Sequence, residues 1–124
     1  MDEVELRKKV RDLDIAEVID WLIRKAYETA KSKGWHEEPG TVGDSIALMH
    51  TELSEALEEF RAGGEPNACR TVAGKPEGVA VELADCVIRI FDFCGKHDVP
   101  LASALLAKMR YNETRPYRHG GKRL

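Results

Sequence analysis

Residues 79–94, VAVELADCVIRIFDFC, decide the fold. Val79, Val81, Leu83, Cys86, Val87, Ile88, Ile90, Phe91, Phe93 and Cys94 would point in nearly every direction around a helix, so a helix over about Glu77 to Lys96 is expected to be covered on most sides. One narrow polar stripe interrupts it, with Glu82, Asp85, Arg89 and Asp92 recurring at i, i+3, i+7 and i+10. An unpaired charge on such a helix is costly unless it meets a metal, a partner or water.

Outward from there, helical periodicity persists in both directions. Pro39 and Gly40 punctuate the chain before a second helix that begins near Thr41 to Asp44 and runs to about Ala62, where Gly63 and Gly64 stop it. Its apolar side is read as Ile46, Met49, Leu53, Ala56, Leu57 and Phe60. The segment from Gly63 to Gly78 holds four glycines and two prolines and reads as a long loop, either a functional lid or a connector. Upstream, Asp14 is expected to cap a helix with Glu17 reaching back and Leu13 meeting Val18. Its core stripe is Ile15, Val18, Ile19, Leu22, Ala26 and Ala30, ending at Gly34. Downstream, Asp98 and Pro100 are expected to open a fourth helix carrying Leu101, Ala104, Leu105 and Met109 and giving way near Thr114. No stretch alternates strictly enough to predict a strand, so the fold class is all-α, four helices in a single domain over residues 1–124.

The chain has 124 residues, 43% hydrophobic and 33% charged, which places it among globular domains able to bury a core. Without a run of about 18 apolar residues, and with a highly charged start, it is expected to be cytosolic, with neither a membrane span nor a signal peptide. Cys69, Cys86 and Cys94 are an odd number without a CxxC pattern, and they read as buried thiols rather than a disulfide framework or a zinc site. The net charge of −3 conceals a segregation: Lys108 to Leu124 carries six Lys/Arg against Glu113 alone, leaving 13 basic against 21 acidic residues before it. That end fits a nucleic-acid tail, a disordered basic terminus, or the phosphate-binding half of a site whose cation-binding half lies in the acidic body.

Glu52 and Glu55 sit three apart on the second helix, with Cβ atoms roughly 5–6 Å from one another, and Glu82 and Asp85 repeat the arrangement on the third. Antiparallel helices packed about 8–10 Å apart would gather the four carboxylates if the stripes face each other. Such a cluster either raises some pKa values or takes up a cation, and all-oxygen ligation selects a hard ion, Mg²⁺ or alternatively Mn²⁺. For the second helix by itself, Glu52, Glu55, Glu58 and Glu59 read as a solvated face; the acids within the apolar third helix change that weighting. A di-iron carboxylate bundle would need a Glu-x-x-His, and no Glu here has His three residues later. The remaining alternative is a non-catalytic helical interaction module or nucleic-acid binder; confinement of the positive charge to one end argues against nucleic acid.

Glu52-x-x-Glu55, 26 intervening residues and Glu82-x-x-Asp85, together with the texts IALMHTELSEALEEFR, GVAVELADCVIRIFDFC and KMRYNETRPYRHGGKRL, resemble the MazG-like all-α nucleoside triphosphate pyrophosphohydrolases over about residues 35–124. The resemblance implies a four-helix bundle assembled as a dimer or dimer of dimers, and Mg²⁺ held by Glu52, Glu55, Glu82 and Asp85. It further implies cleavage of a nucleotide substrate between the α and β phosphates to a monophosphate and pyrophosphate. Glu55 or Glu59 would also position the attacking water. Lys108, Asn112 and Arg115 would hold the triphosphate; Tyr117, His119 and Lys122, with Arg118, belong to the same matched segment. Trp35 and His36, after the Gly34 stop, are candidates for packing on the nucleobase, or else a core plug. His50 reads as an ordinary surface residue, and Trp21 and Tyr27 as packing.

Overall fold

The structure, a computed structural model, describes residues 1–118. Its elements follow in the order α1 (Glu3–Ser32), α2 (Val42–Arg61), β1 (Arg70–Val72), β2 (Lys75–Glu77), α3 (Val79–His97) and α4 (Leu101–Glu113). The described chain is thus mostly helical, with little sheet. The described residues divide into two compact units, one formed by Leu22–Val99 and one by Met1–Trp21 with residues 100–118; α1 contributes to both.

In the unit Leu22–Val99, α2 and α3 pack along one another. α2 starts where its sequence says it should: the Asp44 N–H donates to Thr41 Oγ1 at 3.0 Å and the Thr41 N–H donates to Asp44 Oδ2 at 2.9 Å, a reciprocal box satisfying two orphan donors. The buried positions are few and small: Ile23 and Ala30 from α1, Ala56 from α2, and Val79, Cys86 and Cys94 from α3. The Cys86 thiol donates to the Met49 carbonyl at 3.5 Å, tying α3 to α2. The last turns of α1 meet α3 at Gly95, where an added Cβ would stand 2.6 Å from the Tyr27 Cβ and 3.4 Å from Ile23 Cγ2. Glycine is required there because a side chain would separate the two helices.

The Gly63–Gly78 segment contains a hairpin that alternation does not reveal. β1 and β2 pair antiparallel, Arg70 opposite Glu77, Thr71 opposite Pro76 and Val72 opposite Lys75. Ala73 at φ 51 and Gly74 at φ 80 turn the chain with two successive left-handed residues, which matches the right-handed twist of the flanking strands. Strands of three residues are too short to show a period, and Ala replaces the Asn or Asp that usually marks the first turn position. Glu77, expected in the third helix, closes β2 instead, and α3 begins after Gly78.

Other expectations are corrected. α1 begins at Glu3, not Asp14: Asp2 and Glu5 form the reciprocal cap, with Glu5 N–H to Asp2 Oδ1 at 2.8 Å and Asp2 N–H to Glu5 Oε2 at 3.2 Å. Asp14 lies within the helix because no Gly or Pro interrupts residues 3–13. Asp98 does not open α4; at φ 51 it caps α3 in the left-handed region, and Pro100 precedes α4. Cys69 is exposed, being in the loop before β1, whereas Cys86 and Cys94 are buried on α3. The expected apolar stripes are only partly inward: Ile15 and Val18 of α1, Ile46, Leu53, Leu57 and Phe60 of α2, and Leu83, Val87 and Ile88 of α3 are all exposed in the single chain. α2 turns Glu52 and Ala56 inward, so its buried positions are not the large apolar ones.

In the other unit, Arg110 of α4 is ion-paired with Asp12 of α1. Ala102 is buried, while Val4, Leu6, Val10 and Leu13 are exposed. No helix among the described residues is long and apolar enough to cross a membrane.

Candidate functional site

The packing of α2 on α3 gathers the acids of both helices. One carboxylate oxygen from each of Glu52, Glu82 and Asp85 lies within 4.8 Å of the others. Glu52 is buried, and Glu82 and Asp85 are half-buried. Glu55, one turn beyond Glu52 and itself exposed, has its carboxyl within hydrogen-bonding reach of both Glu52 and Glu82. Of the four residues expected to act together, Glu52, Glu82 and Asp85 converge, and Glu55 stands beside them at the exposed edge.

Their titration records the crowding. Burial, then the hydrogen bond and charge of Glu55, and then the charges of Asp85 and Glu52 push the Glu82 carboxyl from 4.5 up to about 7. Burial and the Glu52 charge likewise raise Asp85, against the opposing pull of Arg89 and Lys75. Glu52 moves the other way: burial opposes its ionisation, but hydrogen bonds from Arg89 and Glu55 and the Arg89 charge outweigh that and hold it below the usual glutamate range. Near neutral pH the cluster therefore shares a proton among like charges, a state a divalent cation would relieve. Its donors are all carboxylate oxygens, which suit a hard ion such as Mg²⁺ or Mn²⁺.

The cluster opens onto a cleft of about 900 Å³ within the same unit. Glu52 and Asp85 stand at its wall; farther along α3 come Arg89, Asp92 and Lys96, and across from them Trp35 and His36. The Arg89 Nε donates to Glu52 Oε1 at 2.8 Å. His36 Nε2 lies 2.7 Å from Asp92 Oδ1, and the His36 ring stands 5.5 Å from that of Tyr27. Trp35 is 66% exposed, which corrects the alternative of a core plug and leaves its indole face open. Tyr27 packs as expected, His50 is exposed, and Trp21 is half exposed rather than enclosed.

Glu59 is less well placed. Its carboxylate faces the hairpin, where Arg70 Nη2 donates to Glu59 Oε2 at 3.4 Å and also lies 3.6 Å from Glu77. Lys108, Asn112, Arg115 and Tyr117 belong to the α4 unit and are exposed. Lys108 Nζ sits 4.7 Å from the centre of its neighbour Tyr111's ring, and the Arg118 guanidinium lies 5.5 Å from that of Tyr117. His119 and Lys122 lie outside the described residues.

Two residues of the cleft, Arg89 and Asp92, go beyond the expected site residues; their spacing of seven and ten from Glu82 on the polar stripe of α3 is the signal for them. Comparison of the chain with family models, with curated proteins and with solved structures found no match.

Proposed function

We propose that the protein hydrolyses nucleoside triphosphates, deoxy forms included, to a monophosphate and pyrophosphate, with Glu52, Glu55, Glu82 and Asp85 holding Mg²⁺. The observation that carries the reading is the convergence of Glu52, Glu82 and Asp85 within 4.8 Å on a cleft of nucleotide size. The donor set fits the ion: all ligands are oxygens, and Arg89 already stands on Glu52 as a stand-in cation. When bound, Mg²⁺ supplies charge neutralisation at the phosphates.

The chain's own residues do the rest. Glu55, exposed beside Glu52 and Glu82, is the better candidate to orient and deprotonate a water, since Glu59 is turned toward Arg70. Asp85 and Asp92 are seven residues apart on α3, about 10 Å along its axis, comparable to the reach of a nucleotide from phosphate to base. The exposed Trp35 ring and the His36–Asp92 pair would then face the base. The MazG-like resemblance adds Lys108, Asn112, Arg115 and the following basic residues as phosphate ligands; the first three are exposed and so open to an anion.

A second copy of the chain is the proposed partner. Leu53, Leu57 and Phe60 of α2 and Leu83 and Val87 of α3 are all exposed, a load of large apolar groups that association would cover. No polynucleotide is invoked, because the positive charge is confined mostly to one end of the chain instead of being spread over a face. The test is incubation with a panel of nucleoside triphosphates and Mg²⁺, following products by ³¹P NMR. Monophosphate and pyrophosphate are expected, and Glu82→Gln should stop their release with the helical signal intact. Orthophosphate as first product, or no turnover of any nucleotide, would overturn the assignment.

A further inference from the structure

Arg89 carries an inference beyond the holding of an ion. Its side chain spans two environments: Glu52, which it grips, has a side chain only 9% exposed, while the guanidinium's own residue is 42% exposed at the cleft wall. Nε makes the hydrogen bond to Glu52, the terminal nitrogens donate to no further carboxylate among the described residues, and the residue lines the cleft, so the guanidinium fork is not used up by Glu52. Arg89 also follows Asp85 by one helical turn, so an anion drawn to the cluster would lie within the arc its side chain can sweep. A guanidinium and a divalent cation held by the same carboxylate would repel each other, so Arg89 and an ion would compete for Glu52.

From this geometry we propose that Arg89 is a displaceable resident cation: it holds Glu52 in the ion-free chain and, once a divalent ion takes that carboxylate, turns its guanidinium onto a phosphate of the bound substrate. The inference rests on the metal and nucleotide reading above. It makes Arg89 a positioning residue in the ion-free state and a phosphate contact in the loaded one, so one side chain links ion binding to anion binding. Ion binding displaces an occupant, and the affinity for the ion is reduced by the fraction of chains in which that occupant sits. Phosphate binding, conversely, is favoured only after the guanidinium has been released, which orders the two events.

The experiment uses the full chain and two probes. Mn²⁺ alone is titrated calorimetrically at about pH 8.5, where protons compete little for the cluster, into wild type, Arg89→Gln and Arg89→Lys. Inorganic pyrophosphate is then titrated in saturating Mn²⁺. Arg89→Gln should bind Mn²⁺ about threefold or more tighter than wild type and pyrophosphate about tenfold weaker, with Arg89→Lys between them, since lysine keeps the charge but not the fork. Weaker or unchanged Mn²⁺ binding by a folded Arg89→Gln would overturn the proposal, and so would tighter Mn²⁺ binding with pyrophosphate affinity unchanged. A wild-type chain that binds no Mn²⁺ would instead sink the metal reading beneath it. In case Arg89→Gln fails to fold, the wild type provides an independent measurement: the Arg89 Nε–H NMR resonance, identified by its loss in Arg89→Lys, should shift on Mg²⁺ addition and shift again with pyrophosphate. An Nε–H that stays put while the α2 and α3 amides respond to Mg²⁺ would overturn the displacement.

Discussion

Glu52 and Glu58 lie on the same helix six residues apart, and each is paired with an arginine, yet they do opposite things. Glu58 is 69% exposed and meets Arg61 of its own helix at 2.9 Å. Such a pair is worth about 0–1 kcal/mol and is screened by salt. Glu52 is 9% exposed and meets Arg89 of the other helix at 2.8 Å, beside Glu82 and Asp85. The lesson is that acidic spacing along one helix leaves each carboxylate to water, whereas a second acidic pair pressed against it from a neighbouring helix leaves carboxylates facing one another. Water and a local arginine neutralise Glu58, whereas the carboxylates around Glu52 have one arginine among them and otherwise share protons or take a cation.

The sharpest way to break this contrast is to neutralise one acid on each side of it. Glu82→Gln should cut pyrophosphate release on the order of a thousandfold, because a bound metal supplies several kcal/mol to the transition state. Glu58→Gln should leave the rate within about twofold. Equal losses would mean that burial is irrelevant.

Next in size is stabilisation by the ion. At a hundred times its dissociation constant, Mg²⁺ should raise the unfolding free energy by about 2.7 kcal/mol, read from urea midpoints, and the gain should vanish in Glu82→Gln but persist in Glu58→Gln. A gain of equal size in Glu82→Gln would place the ion elsewhere.

The pH dependence of the ion-free chain is smaller and has a fixed sign. Glu82 releases its proton at about 7 when folded and near 4.5 when unfolded, so between those values the folded chain binds more protons. Its contribution is therefore fully present below about 4.5 and is lost as pH rises through about 7, a fall of about 2 kcal/mol after allowance for screening by water. Asp85, also raised, works in the same sense, and Glu52, lowered, works oppositely at more acid pH. Urea unfolding at a series of pH values should show the fall in wild type and lose most of it in Glu82→Gln.

The smallest effect belongs to the hairpin. Arg70 bridges Glu59 and Glu77 at 3.4 and 3.6 Å with its side chain 52% exposed. Arg70→Gln should change stability by less than about 0.5 kcal/mol and leave turnover within a few-fold. A loss of turnover comparable to that of Glu82→Gln would restore Glu59 to the site.

Much of the fold is legible in the sequence. Thr41-x-x-Asp44 starts α2 as expected because Pro39 and Gly40 precede it and leave one plausible beginning. Asp14-x-x-Glu17 looks the same and is not a start, since Asp2-x-x-Glu5 offers an equal cap upstream and the residues between them, with Arg7 paired to Glu3, are good helix formers. The four carboxylates were legible because their spacing and the apolar surroundings of Glu82 and Asp85 coincide. Arg89 was visible on the same stripe, but its grip on Glu52 depends on how α2 and α3 are rotated against each other, which periodicity alone leaves open. The hairpin escaped because three-residue strands have no measurable period and Ala73 hides the turn.

The most direct test of the central claim is an anomalous difference map from crystals of the protein soaked in Mn²⁺, collected at the manganese edge. A peak beside Glu52, Glu82 and Asp85, absent from Glu82→Gln crystals, is the predicted result. A map with no peak there, or one with manganese on other acids such as Glu58, would contradict it.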